Sequence, residues 1–346
     1  MTSESCSRKV LILIARLLQV LILFLSSAAL FAQGPTTGSA STRSSTLPAR
    51  IFAPYVDLTL DTPFAIAKTA SVTGVKYFTL AFVNATENGG CQATWGGYTP
   101  IRQKYMLAEI DALRSGGGDI ILSFGGANAT ELASACSTAR LEAEYQAAID
   151  TYKAKELDFD IEGPKLPDIP TNDKRNKVIA ALQKKNGLRV SFTLPATPSG
   201  LTANGIDLLK NAVENKLDIA IVNIMAMDYG GSAPGDKMGQ NAIDAANRTA
   251  DQLQKIFPGR PAAEIRSMIG ITPMIGQNDT MQETFTMSDA RTLLNYARSN
   301  NIGRLSMWSI TRDRQCSRPI RAASSVCSGS TQEPFAFSNI FKGFMR

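Results

Sequence analysis

The sequence predicts an α/β fold, a single (β/α)8 barrel. Three observations carry that prediction. From Arg50 onward, short β-rich runs alternate with longer amphipathic segments. There are eight such runs, and no GxGxxG or Walker-type loop follows any of them. In order, the strands are expected at Ile51–Asp57, Tyr77–Val83, Asp119–Phe124, Glu156–Glu162, Leu188–Leu194, Asp218–Met225, Met268–Thr272 and Arg304–Ser309. Helical patterns fill the intervals at Pro63–Val72, Ile101–Ser115, Ala139–Lys155, Asn172–Lys185, Ala203–Asn215, Asn241–Phe257 and Ser288–Asn300, with a short closing helix at Pro334–Phe341. Gly116-Gly117-Gly118 precedes a strand and reads as a tight turn, not a phosphate cradle. No repeat of fixed period and no second domain is visible.

Residues 1–32 read as an export signal. Arg8 and Lys9 precede an apolar run from Val10 to Phe31, Arg16 extends the basic region, and cleavage is expected after Ala32. An uncleaved membrane anchor is the alternative. Residues 33–49, rich in Ser, Thr, Gly and Pro, read as a flexible linker, which leaves 50–346 as the barrel of a secreted, monomeric protein. The formal charge is +6, but acids and bases are interspersed, so the pattern is a solvated surface and not a nucleic-acid footprint. Beyond the signal lie Cys91, Cys136, Cys316 and Cys327, an even number suited to two disulfides with three possible pairings. Cys91–Cys136 with Cys316–Cys327 is favoured: the second closes a short loop and the first joins two loops at one end of the barrel. Their spacings do not resemble a metal site. Asn84, Asn128, Asn247 and Asn278 each begin an N-x-Thr triplet, which matters only in a glycosylating pathway.

The chain contains no histidine, which excludes Ser-His-Asp and Cys-His catalysis and His-ligated zinc. Proton transfer then falls to Asp, Glu, Tyr, Lys or Cys. The fourth strand ends Leu157-Asp158-Phe159-Asp160-Ile161-Glu162, so Asp158, Asp160 and Glu162 share one face and the apolar residues the other. The apolar face must meet the helices, so the acids point into the barrel. Stacked carboxylates repel one another, and at least one should hold a proton near neutral pH.

This row resembles the D-x-x-D-x-D-x-E signature of family 18 glycoside hydrolases, the chitinases and their relatives. Ser123-Phe124-Gly125-Gly126 at the end of the third strand resembles the family's S-x-G-G element. Met225-Ala226-Met227-Asp228-Tyr229 at the end of the sixth resembles its tyrosine motif, and Trp308 on the eighth its sugar-stacking tryptophan. The wording of Ile51–Leu58, Tyr77–Asn84 and Cys91–Gly97 is similar to a bacterial branch. Two positions depart from the pattern: Lys155 stands at the first Asp, and Gly230 follows Tyr229 where many relatives carry Asp.

The resemblance implies a chitinase that works without metal or cofactor on chitin or chito-oligosaccharides. Glu162 is then the acid, kept protonated by its acidic neighbours. Asp160 orients the substrate's 2-acetamido group, Asp158 holds the proton balance, and Tyr229 hydrogen-bonds the same acetamide. Met227, Asp228, Ser123, Gly125 and Gly126 are expected around the sugar. Trp95, on the loop after the second strand, either extends the platform of Trp308 together with Tyr98 or anchors its own loop. Arg312-Asp313-Arg314 reads as a surface ion cluster. The alternatives are a non-catalytic chitin-binding lectin on the same barrel, and an endo-β-N-acetylglucosaminidase acting on N-glycan cores.

Overall fold

The computed structural model describes residues 47–345. The expected leader over 1–32 lies outside the described residues, as do 33–46. Among the described residues, eight parallel strands form a ring: β1 (Ile51–Phe52 and Tyr55–Asp57, interrupted at Pro54), β2 (Tyr77–Asn84), β3 (Asp119–Gly125), β4 (Glu156–Asp160), β5 (Arg189–Thr197), β6 (Ile221–Ala226), β7 (Ile269–Pro273) and β8 (Arg304–Leu305). The two pieces of β1 close it: Ile51 pairs with Arg304 of β8, and Tyr55 pairs with Thr79 of β2. This is the predicted (β/α)8 barrel.

The main helices are α1 (Ile66–Thr73), α2 (Leu107–Ser115), α3 (Thr138–Tyr152), α4 (Ile169–Asn186), α5 (Ala203–Glu214), α6 (Met238–Ile256), α7 (Met287–Ser299) and α8 (Ala336–Phe341), with two further short helices at Leu132–Ala135 and Ala262–Ser267. Local chemistry sets their ends. Asp168 accepts the Thr171 N–H, Pro170 occupies the first turn, and Gly187 stops α4 in a left-handed conformation. That cap starts α4 three residues before the apolar periodicity does. Thr286 and Asp289 form a reciprocal capping box at α7. The expected helix from Ile101 is broken: a 3-10 turn at Ile101–Gln103 ends at Lys104, and the left-handed Met106 precedes α2.

The apolar side of β4 packs outward, as the alternation requires. Phe159 stacks on Phe124 of β3 at 5.2 Å between ring centroids and meets Tyr145 of α3 edge-on at 5.6 Å. Leu47 is buried against Ile51, Ala53 and Ile121, so ordered packing already includes the last residues of the expected linker.

Both favoured disulfides are formed, Cys91–Cys136 and Cys316–Cys327. The Arg312-Asp313 pair is not a surface cluster. Each is 1% exposed. Arg312 donates to the carbonyls of Ile275 and Gln277, and Asp313 accepts the N–H groups of Phe337 and Ser338 at the start of α8. Burying both charges is tolerable because each gathers backbone partners.

Candidate active site

A cleft of about 410 Å³ opens at the C-terminal ends of the strands, where a barrel of this kind carries its chemistry. β4 supplies its acids. At the base of that strand, Glu156 forms ion pairs with Arg304 and Arg189 inside the barrel. One step up, Asp158 is fully buried and accepts from four hydroxyls: Ser191 at 2.6 Å, Ser123 at 2.8 Å, Thr193 at 2.9 Å and Tyr55 at 3.0 Å. Burial pushes its carboxyl up, and those hydrogen bonds pull against the rise.

Asp160, next up, is 5% exposed, lines the cleft, and has an Oδ1 with no hydrogen-bond partner. It is held well above the usual carboxylate range, first by burial, then by the charges of Glu162 and Asp158 and by hydrogen bonding with Glu162. Glu162 follows at the mouth, half-buried, lining the cleft. The sequence expectation put the stabilised proton on Glu162. The structure raises the carboxyl of Asp160, which is buried between Asp158 and Glu162.

β3 fits closely against this row. Gly126 donates its N–H to the Asp160 carbonyl at 3.0 Å. A Cβ on Gly125 would sit 2.1 Å from that carbonyl oxygen, and one on Gly126 2.6 Å from the Phe82 ring. Both residues have φ near +80 to +103°, so glycine is required twice over. Across the cleft, Trp308 is half-buried and stacked on Phe82 at 5.6 Å and 17°, with Tyr55 tilted against it at 5.9 Å. Met225, Met227 and Asp228 line the wall after β6. Asn84 also lines the cleft, and its amide donates to the Gly125 carbonyl at 2.6 Å.

Two expected site residues lie elsewhere. Tyr229 is 6% exposed and does not line the cleft; burial and the charges of Glu283 and Asp244 push its phenol up. Simple alternation would carry residues 225, 227 and 229 to one side, but Asp228 is left-handed (φ 49°) and breaks it. Glu283 fixes the turn by accepting the Tyr229 and Gly230 N–H groups at 3.0 and 2.7 Å. Trp95 is 2% exposed, paired in a hairpin onto β2, and donates its indole N–H to Tyr152 of α3 at 2.8 Å. It anchors the loop, while its neighbours Gly96 and Tyr98 reach the cleft. Lys155 is exposed just before β4, outside the acidic row.

Sequence reasoning missed Tyr55, Ser191, Thr193, Asn223 and Arg304. They make one buried network: Asn223 donates to Thr193 at 3.0 Å and to Tyr55 at 3.3 Å, and Arg304 to Ser191 at 3.0 Å. Period-2 alternation along β5 is the signal that could have found Ser191 and Thr193, whereas nothing local marks Arg304.

No family model matches the chain. It is 36% identical over 312 residues to a probable bifunctional chitinase/lysozyme of Escherichia coli, an alignment covering 86% of this chain and 35% of that protein. With endochitinase 11 of Metarhizium anisopliae it shares 37% over 281 residues, covering 77% and 53%. The chain thus spans about a third to a half of the curated relatives it matches. The catalytic domain of a hyperthermophilic chitinase from Pyrococcus furiosus superposes with a TM-score of 0.79 at 35% identity, covering 87% of this chain and 96% of that one. A GH18 chitinase of Flavobacterium johnsoniae, at 14% identity and TM-score 0.54, shares the barrel fold. Barrel and acidic row together define a glycoside hydrolase domain. Within that class the chain belongs to family 18, the family of the chitinases it resembles.

Proposed function

We propose that this barrel hydrolyses β-1,4 bonds between N-acetylglucosamine units of chitin or chito-oligosaccharides, by a retaining, substrate-assisted route with Glu162 as general acid and base. The observation that carries the reading is the graded row on β4: Asp158 is buried in a cage of four hydroxyls, Asp160 is buried with one free oxygen, and Glu162 stands at the cleft. A sugar stacked on Trp308 lies beside that row.

In this route Glu162 protonates the glycosidic oxygen as the bond to the anomeric carbon breaks. The substrate's own acetamide oxygen attacks that carbon and forms an oxazolinium ion. Asp160 holds the acetamide N–H through its free Oδ1, and Asp158, fixed by four hydroxyls, backs the charge below it. Glu162, now ionised, takes a proton from water, which attacks the same carbon; the bond to the acetamide oxygen breaks, the oxazolinium ring opens back to the acetamide, and the original anomer is restored. Met227 and Asp228, not Tyr229, face the sugar from β6. The two disulfides support an oxidising, extracellular setting for this chemistry.

The test is Glu162→Gln assayed on chitotetraose. Turnover should fall roughly 100-fold or more, and unchanged turnover overturns the assignment. Anomer-resolved NMR of the wild-type products should show the β-anomer first; initial α-anomer contradicts retention.

A further inference from the structure

The cleft is lined by Asp57, Asp160, Glu162, Asp228 and Asp279, and no Lys or Arg side chain lines it among the described residues. A cation nevertheless stands behind the wall. Lys165 ends the 3-10 turn Gly163–Lys165 that begins at Glu162, and its Nζ donates to the Gly126 carbonyl at 2.5 Å. The Gly126 N–H in turn donates to the Asp160 carbonyl. Lys165 therefore ties the turn that carries Glu162 to the glycine turn packed on Asp160.

We infer that Lys165 is a positioning residue for the reaction: it staples the Glu162 turn to Gly126 and biases the proton shared by Asp160 and Glu162 toward Glu162. This rests on the reading of Glu162 as the acid. A positive charge beside Asp160 favours its ionised form, so the proton moves to the neighbour that must donate it. The other groups facing the pair do not supply that bias. Asp158 is a like charge below, Tyr55 of β1 is a neutral donor to Asp158, and Arg304 of β8 lies on Asp158's side, 4.0 Å from it. Asp57, Asp228 and Asp279 around the cleft are acids.

The experiment compares kcat against pH for wild type, Lys165→Gln, Lys165→Met and Lys165→Arg on chitotetraose, with Glu162→Gln in parallel. Lys165→Gln keeps a donor for Gly126 and loses only the charge. Both neutral variants should move the acidic and basic limbs up by roughly half a unit, and lower kcat several-fold at the wild-type optimum. Lys165→Arg should keep the wild-type limbs. Neutral variants whose limbs stay put overturn the inference, whether or not kcat falls, since uniform loss marks a loop staple alone. Lys165 is half-buried on a surface turn, so folding of Lys165→Gln is checked simply by its melting curve. A fully active Glu162→Gln would instead remove the reading on which this rests.

Discussion

The Tyr55 hydroxyl sits 3.0 Å from Asp158 Oδ2 and 2.8 Å from Thr193 Oγ1, joining β1, β4 and β5 at the centre of the barrel. Tyr55 also lines the cleft and leans on Trp308. Tyr55→Phe should therefore cost about 1–2 kcal/mol of stability and lower kcat by roughly 10- to 100-fold through a loosened Asp158. Urea unfolding and steady-state kinetics read the two effects separately.

Burial raises Asp160, so the native state binds that proton more tightly than the unfolded chain does. Its stabilising contribution is complete below the unfolded carboxyl pKa of about 4 and is lost as pH rises through the folded value. Asp160→Asn removes the loss. Its melting temperature should exceed wild type by roughly 2 °C or more at pH 7, with the gap closing near pH 3.5. An equal gap at both pH values would contradict the linkage.

Tyr229→Phe deletes a buried hydroxyl with no hydrogen-bond partner, away from the cleft. Activity should stay within about twofold of wild type and stability should hold or rise slightly. A tenfold loss of kcat would place the phenol on the substrate.

Trp308→Ala removes the stacked face beside the acids. Affinity for chito-oligosaccharides should weaken about tenfold, read by titration into the Glu162→Gln protein, while the melting curve keeps its shape. Tight binding without the indole would argue against a sugar platform.

How much of this was legible depended on range. The acidic row on β4 is a local period-2 pattern, and its direction followed from the need to bury Leu157, Phe159 and Ile161. The partners of that row were not legible in the same way. Ser123, Tyr55, Ser191 and Thr193 converge on Asp158 from three strands through register, which no single run specifies. The Tyr229 expectation failed at one backbone torsion, the left-handed turn at Asp228. Of the two readings of Trp95, the structure takes the loop anchor: its hairpin on β2 turns the indole toward Tyr152 and turns Gly96 and Tyr98 toward the cleft. Arg312-Asp313 looked solvated because their backbone partners lie 24 and more residues away.

The contact between Gly125 and the Asp160 carbonyl divides the cleft for anyone redesigning it. Any side chain at position 125 collides with the backbone that carries Asp160, so libraries that vary the floor spend most of their members on misassembled sites. The rim obeys no such limit: Tyr98 is 66% exposed and Asn128 is exposed as well, both lining the cleft outside the acidic row. Altered chain-length preference should evolve there, by substitutions that leave the chemistry untouched.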